Sequence, residues 1–427
     1  MKIAIIGAGV SGLVAAHHLC RDHDVTVFEA NSYVGGHVNT VDVQDADRSI
    51  AIDTGFIVFN DWTYPNFIKL LDQLGVASNP SEMSFSVKDP KSGLEYNGHS
   101  LDTIFAQRRN LFRPSFLRMI RDILRFNKQA KIVARSENDT RTVGQFLADN
   151  GYCSMFASHY LLPMGASIWS CPTGCFADFP IQFIAEFYDN HGLLNVKDRP
   201  QWRVISGGSK TYVRELIRPF ESAIQLDSPV VSVVRTDDAV QLFLASHGSA
   251  KFDHVVFACH ADTALKILDA QSTVIEREVL GAFPYSRNTA VLHTDISLLP
   301  RRRRAWASWN YSLIGDDNSA ATLTYNMNLL QGIESQETYC VTLNSDAIID
   351  PEKILGRFEY SHPVFTLQRS AAQARHHELI GPNRTSFCGA YWRNGFHEDG
   401  VVSAIAVAER LEQLHHAEAS FVTGGAQ

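Results

Sequence analysis

Three glycines at fixed spacing could bring bare backbone against a dinucleotide. Gly7, Gly9 and Gly12 form G-x-G-x-x-G: Gly7 permits a tight turn, Gly9 lets backbone approach a pyrophosphate, and Gly12 lets a helix and a strand pack closely. Ala8, Val10 and Ser11 complete the turn and would lie along the same ligand. Glu29 follows Gly12 by seventeen residues, with Ala30 next to it, where a carboxylate can accept from ribose hydroxyls. Gly35 and Gly36 offer a second stretch of bare backbone. An adenine dinucleotide with a long ribityl arm would use it, which favours FAD over NAD.

Two strands and a helix must position these groups. Ile3 to Ile6 is continuously apolar, as in a parallel strand covered on both faces. The glycines stand where that strand hands over to a helix, and Val25 to Phe28 is a second strand that ends in Glu29. No second G-x-G-x-x-G is present, which argues against an NADPH domain.

The run from G-x-G-x-x-G through an acid to Gly35-Gly36-His37 resembles the FAD-dependent amine oxidase and phytoene desaturase superfamily, in which arginine usually stands where this chain has His37. That resemblance implies an α/β fold, with a Rossmann-type, glutathione-reductase-like FAD-binding domain and an interleaved α+β substrate domain. Residues 1–85, 200–265 and 376–427 would form the discontinuous FAD-binding domain. Residues 86–199 and 266–375 would supply a helical subdomain and a sheet. The matching segment of the family runs along the flavin ring, which puts Thr54, Gly55, Phe56 and Ile57 against the isoalloxazine. A glycine at 55 would leave a planar ligand unobstructed. By the same resemblance, Val230 or Val231 pairs backbone groups with adenine. The family usually shows a glycine and an acid after a late strand; Gly389-Ala390 lacks the acid. A helix starting at Gly400 would aim the amides of Val401 and Val402 at the pyrimidine carbonyl, where its dipole stabilises charge. FAD is expected to be held noncovalently.

Four segments narrow the resemblance: Asp53 to Asn60, Trp202 to Ser209, Gly389 to Trp392 and Gly395 to Gly400. They resemble the NAD/FAD-binding proteins that accompany, or are fused to, cyclopropane-fatty-acid synthases, whose relatives include the flavin-dependent acyl-chain desaturase of furan fatty acid formation. That branch implies dehydrogenation of a fatty acyl chain, with a lipid or other apolar small molecule as substrate and a methyltransferase as a possible partner. His397 is placed nearest the ring, or is a structural partner of Glu398 or Asp399. Trp309, Asn310, Tyr325 and Asn326 are placed on the opposite wall. Runs of strand character at Ala290 to Asp295 and Ala321 to Asn328 make that wall a sheet. His293 and His362 read as core histidines. The other readings are an amine oxidase acting on a small amine and a flavin-binding accessory protein.

With 427 residues, 45% of them hydrophobic and 20% charged, the chain has the composition of a globular protein of about two domains. A net charge of -8 excludes a general nucleic-acid binder, which needs a basic field. Seven scattered cysteines and an N-terminus that is already a strand predict a reducing, cytoplasmic location. Cys171 and Cys175 read as two unrelated thiols rather than a redox pair, and no metal site is apparent. Residues 101–135 differ in character: nine lysines and arginines stand against Asp102 and Asp122, a local charge of +7. Arg118, Arg121, Arg125 and Lys128 share one helical face and Phe116, Met119, Ile120 and Ile123 another. Either this helix lies peripherally on the inner face of a membrane, or its basic side is a solvated outer face. Arg301 to Arg304 reads as a basic loop, and Pro163 to Ser170 as small residues interrupting helix beside Trp169.

Overall fold

The computed structural model describes residues 1–136, 139–169, 171–314, 322–364, 366 and 368–424, with side chains as far as residue 416. Its first layer is a five-stranded parallel sheet in the order Ile224–Gln225, Asp24–Phe28, Lys2–Ile6, His254–Phe257 and Thr385–Phe387. The apolar run at the N-terminus is its central strand. Ile3 and Ile5 pack with the helices Val10–Leu19 and His397–Gly424 on one face. Ala4 and Ile6 pack with the antiparallel meander Val230–Arg235, Val240–Leu244 and Ser249–Phe252 on the other. Burial on both faces explains a run that does not alternate.

The second layer is a seven-stranded sheet in the order Ile354–Pro363, Tyr285–His293, Cys340–Leu343, Leu323–Asn326, Trp309–Ser312, Phe85–Asp89 and Leu94–Asn97. Only the Trp309–Ser312 and Phe85–Asp89 pair is parallel. Of the run expected at Ala321 to Asn328, the strand occupies Leu323–Asn326, and Ala321 lies outside the described residues.

A helical subdomain packs on the Phe85–Asp89 and Leu94–Asn97 edge of the second sheet. Phe116, Met119 and Phe126 of the Pro114–Ala134 helix pack inward with Phe156, Phe176 and Ile184, so the apolar face of the basic helix is core. The stretch read as an interruption at Pro163 is itself helical, over Leu162–Trp169, while Ser170 lies outside the described residues. A π turn at Ala157–Leu161 precedes it, and the His159 carbonyl, which Pro163 has no N–H to serve, accepts from the Tyr96 hydroxyl (2.5 Å). Buried Asp53 accepts from the Ser209 amide (2.9 Å), the Ser209 hydroxyl and the Thr40 hydroxyl (both 2.6 Å). It thereby fastens the Lys210–Ile217 helix to the two-stranded hairpin of Thr40–Asp45 and Arg48–Asp53.

Candidate active site

One continuous cavity of about 960 Å³ runs between the layers, from the glycine-rich turn to the helical subdomain. At the turn, Gly7 adopts φ +107° against the Ala258 carbonyl, a conformation that a side chain would strain. Gly12 lines no ligand surface: a Cβ there would lie 1.9 Å from the Gly7 carbonyl oxygen. Gly9 is different, because an added Cβ would meet no protein atom within 4 Å. It caps the Val10–Leu19 helix, whose first turn carries no acid, and so leaves a helix N-terminus facing open space. Gly35 bonds to Ala8 (2.8 Å) and Gly36 abuts Gly9, making one wall of bare backbone. Val10, Ser11 and Ala30 border the same space.

Glu29 borders this wall with its carboxylate ordered from behind. It accepts from the Ala8 amide (2.8 Å) and from the Asn31 amide (2.9 Å) and side chain (2.8 Å), leaving lone pairs free for hydroxyl donors. Val230 and Val231 also border the cavity. The strand register slips between Val230 and Ser232, so Val231 has no ladder partner, and its backbone groups remain available to a ligand. The open backbone wall, the ordered carboxylate and the unpaired strand residue fit an adenine dinucleotide.

Farther along, Gly55, Phe56 and Ile57 border the cavity, whereas Thr54 turns away and bonds to Tyr360 (2.9 Å) and the Asn39 carbonyl (3.1 Å). Gly55 owes its lack of a side chain to packing: a Cβ would lie 2.1 Å from the His37 carbonyl oxygen. His397 stacks on Phe56, with ring centroids 3.7 Å apart and planes inclined by 11°. Its Nε2 lies 2.6 Å from the Tyr212 hydroxyl, and burial lowers its pKa to about 3. Glu398 and Asp399 are not its partners. Glu398 accepts from the Asn66 and Phe67 amides at the start of the Pro65–Leu74 helix, and Asp399 accepts from the Phe396 amide (2.8 Å).

That last bond starts the final helix at His397, three residues before the expected Gly400. Gly400, Val401 and Val402 are inside the helix and absent from the cavity wall. A Cβ on Gly400 would meet Val10 and Ser11 at 2.8 and 2.9 Å, so this glycine serves close helix packing. Gly389 borders the cavity, its amide bonded to the Ser403 hydroxyl (2.9 Å). Trp309 and Tyr325 pair across adjacent strands, 5.1 Å apart, and form the facing wall. Asn310 and Asn326 do not join them, because successive strand residues face opposite ways. Asn310 bonds to Ala307 and Thr324, and Asn326 caps Leu329.

Sequence reasoning missed a cluster of imidazoles beside the backbone wall. His37 lies 6.0 Å from His260, 5.5 Å from His362 and 5.0 Å from Tyr360, ring to ring. His362, expected in the core, borders the cavity; His293 is the core residue, bonded to Thr342 and the Asp295 amide. Arg199 and Lys266 are the only described lysine or arginine residues on the cavity wall, and Lys266 is paired with Asp262 (3.2 Å). Burial lowers the pKa of all three histidines, that of His362 to about 4, and His362 and His260 lower His37 further. A bound pyrophosphate would reverse this by stabilising the charged imidazoles, so binding takes up protons. FAD should therefore bind more weakly as pH rises above about 4 and until it passes the pKa the imidazoles take in the complex, by up to about tenfold per pH unit for each proton taken up. Fluorescence titration of the FAD-free protein checks this, and a flat profile would contradict it.

The far arm of the cavity is apolar and aromatic, bordered by Phe85, Tyr96, Met164, Ile168, Trp169 and Phe187. Glu29 and Glu359 are the only described carboxylates on the wall, and both stand toward the cofactor end: Glu29 at the turn, Glu359 next to Tyr360. His191 is on the far arm, stacked on Phe187 at 3.9 Å.

A two-layer fold with this dinucleotide wall defines an FAD-dependent oxidoreductase. The chain belongs to the flavin containing amine oxidoreductase family, whose profile matches residues 10–292. Cyclohexylamine oxidase from Brevibacterium oxydans shares the fold, with TM-score 0.68 and 19% identity over 96% of this chain and 99% of that one. So does a CLA-producing fatty acid isomerase from P. acnes, with TM-score 0.67 and 14% identity over 96% and 98%. Among curated proteins, 4,4'-diapophytoene desaturase of Staphylococcus aureus is 58% identical over 40 residues, 9% of this chain and 8% of that one. A probable flavin-containing monooxygenase of Arabidopsis thaliana is 40% identical over 80 residues, 17% and 15%. The chain thus spans less than a sixth of either curated relative.

Proposed function

We propose that the protein dehydrogenates a fatty acyl chain of a lipid, of the kind handled beside cyclopropane-fatty-acid synthases, introducing a carbon–carbon double bond. The observation that carries this reading is the far arm of the cavity, long, aromatic and free of described carboxylates. An apolar chain gains by burial there at about 25 cal/mol per Å², whereas a protonated amine would leave its charge unpaired. Bound FAD would accept the hydride that leaves one acyl carbon with its electron pair. Trp309 and Tyr325 hold the chain on one side, and the Phe56–His397 stack, tied down by Tyr212, closes the other.

A proton must also leave the neighbouring carbon. In this reading that step belongs to His191, on the wall of the far arm. Its Nδ1 lies 2.9 Å from the Phe187 carbonyl, which can only accept, so Nδ1 carries the hydrogen and Nε2 presents a lone pair. Burial lowers the His191 pKa to about 4. Hydride departure makes the adjacent C–H strongly acidic, so a weak base suffices. His191→Gln should retain FAD and lower turnover about a hundredfold or more; unchanged turnover would remove His191 from this role.

Mass spectrometry of lipids incubated with the enzyme and an electron acceptor tests the reading. A product lighter by two hydrogens in the acyl chain is expected. Oxidation of added amines without lipid change would establish an amine oxidase, and no product from either would favour a flavin-binding accessory protein.

A further inference from the structure

The cavity reaches the surface beside Gly98 and His99, both exposed. Directly after them, Ser100 caps the short Leu101–Ile104 helix, and Leu101 is 81% exposed. Phe112, just before the Pro114–Ala134 helix, is 86% exposed, and Leu117 and Leu124 on that helix are also open to solvent. These are not spilled core residues. Leu117, Arg121, Leu124 and Lys128 recur at helical spacing on the face opposite Phe116, Met119 and Phe126, which are buried.

Charge on this face is one-sided. Arg118, Arg121 and Lys128 are exposed. Of the two acids in the segment, Asp122 is buried and accepts from the Cys153 amide (3.0 Å). Asp102 is held between Arg108 and Arg304. That contact joins the Arg301–Arg304 run, separate in sequence, to the same surface. The result is a band of arginine and lysine interleaved with exposed leucine and phenylalanine, on a protein of net charge -8. No helix among the described residues is long and apolar enough to cross a membrane.

We infer that this face docks on an anionic lipid bilayer and that Gly98–His99 is the portal through which an acyl chain enters from the membrane. The charge matches anionic headgroups, and the exposed apolar side chains match the acyl boundary beneath them. The inference rests on the acyl-chain reading for what passes the portal, while the docking itself can be tested without turnover.

The test is flotation of the FAD-loaded full-length protein with vesicles of phosphatidylcholine, with and without about one-third phosphatidylglycerol. Binding is expected to the anionic vesicles only, and to be lost in about 1 M salt, where charges are screened beyond about 3 Å. Arg118→Glu with Arg121→Glu should cut the bound fraction at least about tenfold, and Leu101→Ser with Phe112→Ser should also weaken it. All four positions are exposed or at the surface, and unchanged FAD absorbance and melting temperature will show that the variants are folded. Equal binding to neutral and anionic vesicles, no binding to either, or variants that bind like the parent would overturn the docking. A dimer broken by Phe112→Ser, without vesicle binding, would assign the face to a second copy and overturn it too. Both double variants should dehydrogenate detergent-dispersed lipid as the parent does while failing on vesicles; equal rates on vesicles would overturn the portal. A parent that docks but alters lipid in neither form would sink the acyl reading and leave docking standing.

Discussion

Gly12→Ala should yield protein that does not fold to bind FAD, whereas Gly9→Ala should yield protein that folds normally and binds FAD poorly. The two positions belong to one motif and fail for different reasons. At Gly12 the new methyl would lie 1.9 Å from the Gly7 carbonyl oxygen and 3.0 Å from the Ala258 side chain. The helix would have to leave the sheet, at a cost of about 3 kcal/mol or more. At Gly9 the backbone is ordinary for alanine, with φ -76°, and no protein atom lies within 4 Å of the added carbon. Only a ligand would meet it. Thermal melting of the FAD-free forms should therefore leave Gly9→Ala unchanged and lower Gly12→Ala sharply, while FAD affinity falls about a hundredfold in Gly9→Ala. If Gly9→Ala kept full affinity, the backbone wall would not be the pyrophosphate surface.

Mild acid should unfold the protein steeply. Burial lowers the pKa of His254 and His397 to about 3, and of His191, His293, His362 and His376 to about 4, against about 6.5 in an unfolded chain. A depressed histidine pKa means that the unfolded state binds more protons. The stability these six residues retain above pH 6.5 is lost as pH falls toward their folded values. Asp53 and Asp399 oppose this, because burial raises both to about 6, and the folded state then holds the extra proton between pH 6 and 4. Near pH 5 the net excess is about four protons, or about 5 kcal/mol of stability lost per pH unit. That is comparable to the whole stability of a domain, about 5–15 kcal/mol. The urea midpoint should fall steeply between pH 6.5 and 5, and an unchanged midpoint would show that these imidazoles are solvated.

The cofactor half of the site was legible because backbone geometry dictates it. Gly7, Gly9, Gly12, Gly35 and Gly36 are required by one turn and one wall, so their spacing is written locally. The start of the last helix was misread because Gly400 resembles a boundary, whereas the deciding residue is Asp399, whose carboxylate caps the Phe396 amide. Asn310 and Asn326 could have been excluded from sequence, since their neighbours Trp309 and Tyr325 claim the opposite strand face. The histidine cluster could not have been found. His37, His260 and His362 come from three distant segments and meet only because the seven-stranded sheet lies across the parallel one. His191 was hidden in the same way: its place on the cavity wall depends on segments distant in sequence, such as Phe396, which packs against it.

The central claim is that FAD bound on the backbone wall takes hydride from an acyl chain in the aromatic arm. Its most direct test is the visible spectrum of the yellow protein, recorded anaerobically while phospholipids with and without methyl-branched chains are added. Bleaching of the flavin bands by a phospholipid, and not by amines, is the predicted result. Bleaching by amines alone would contradict it.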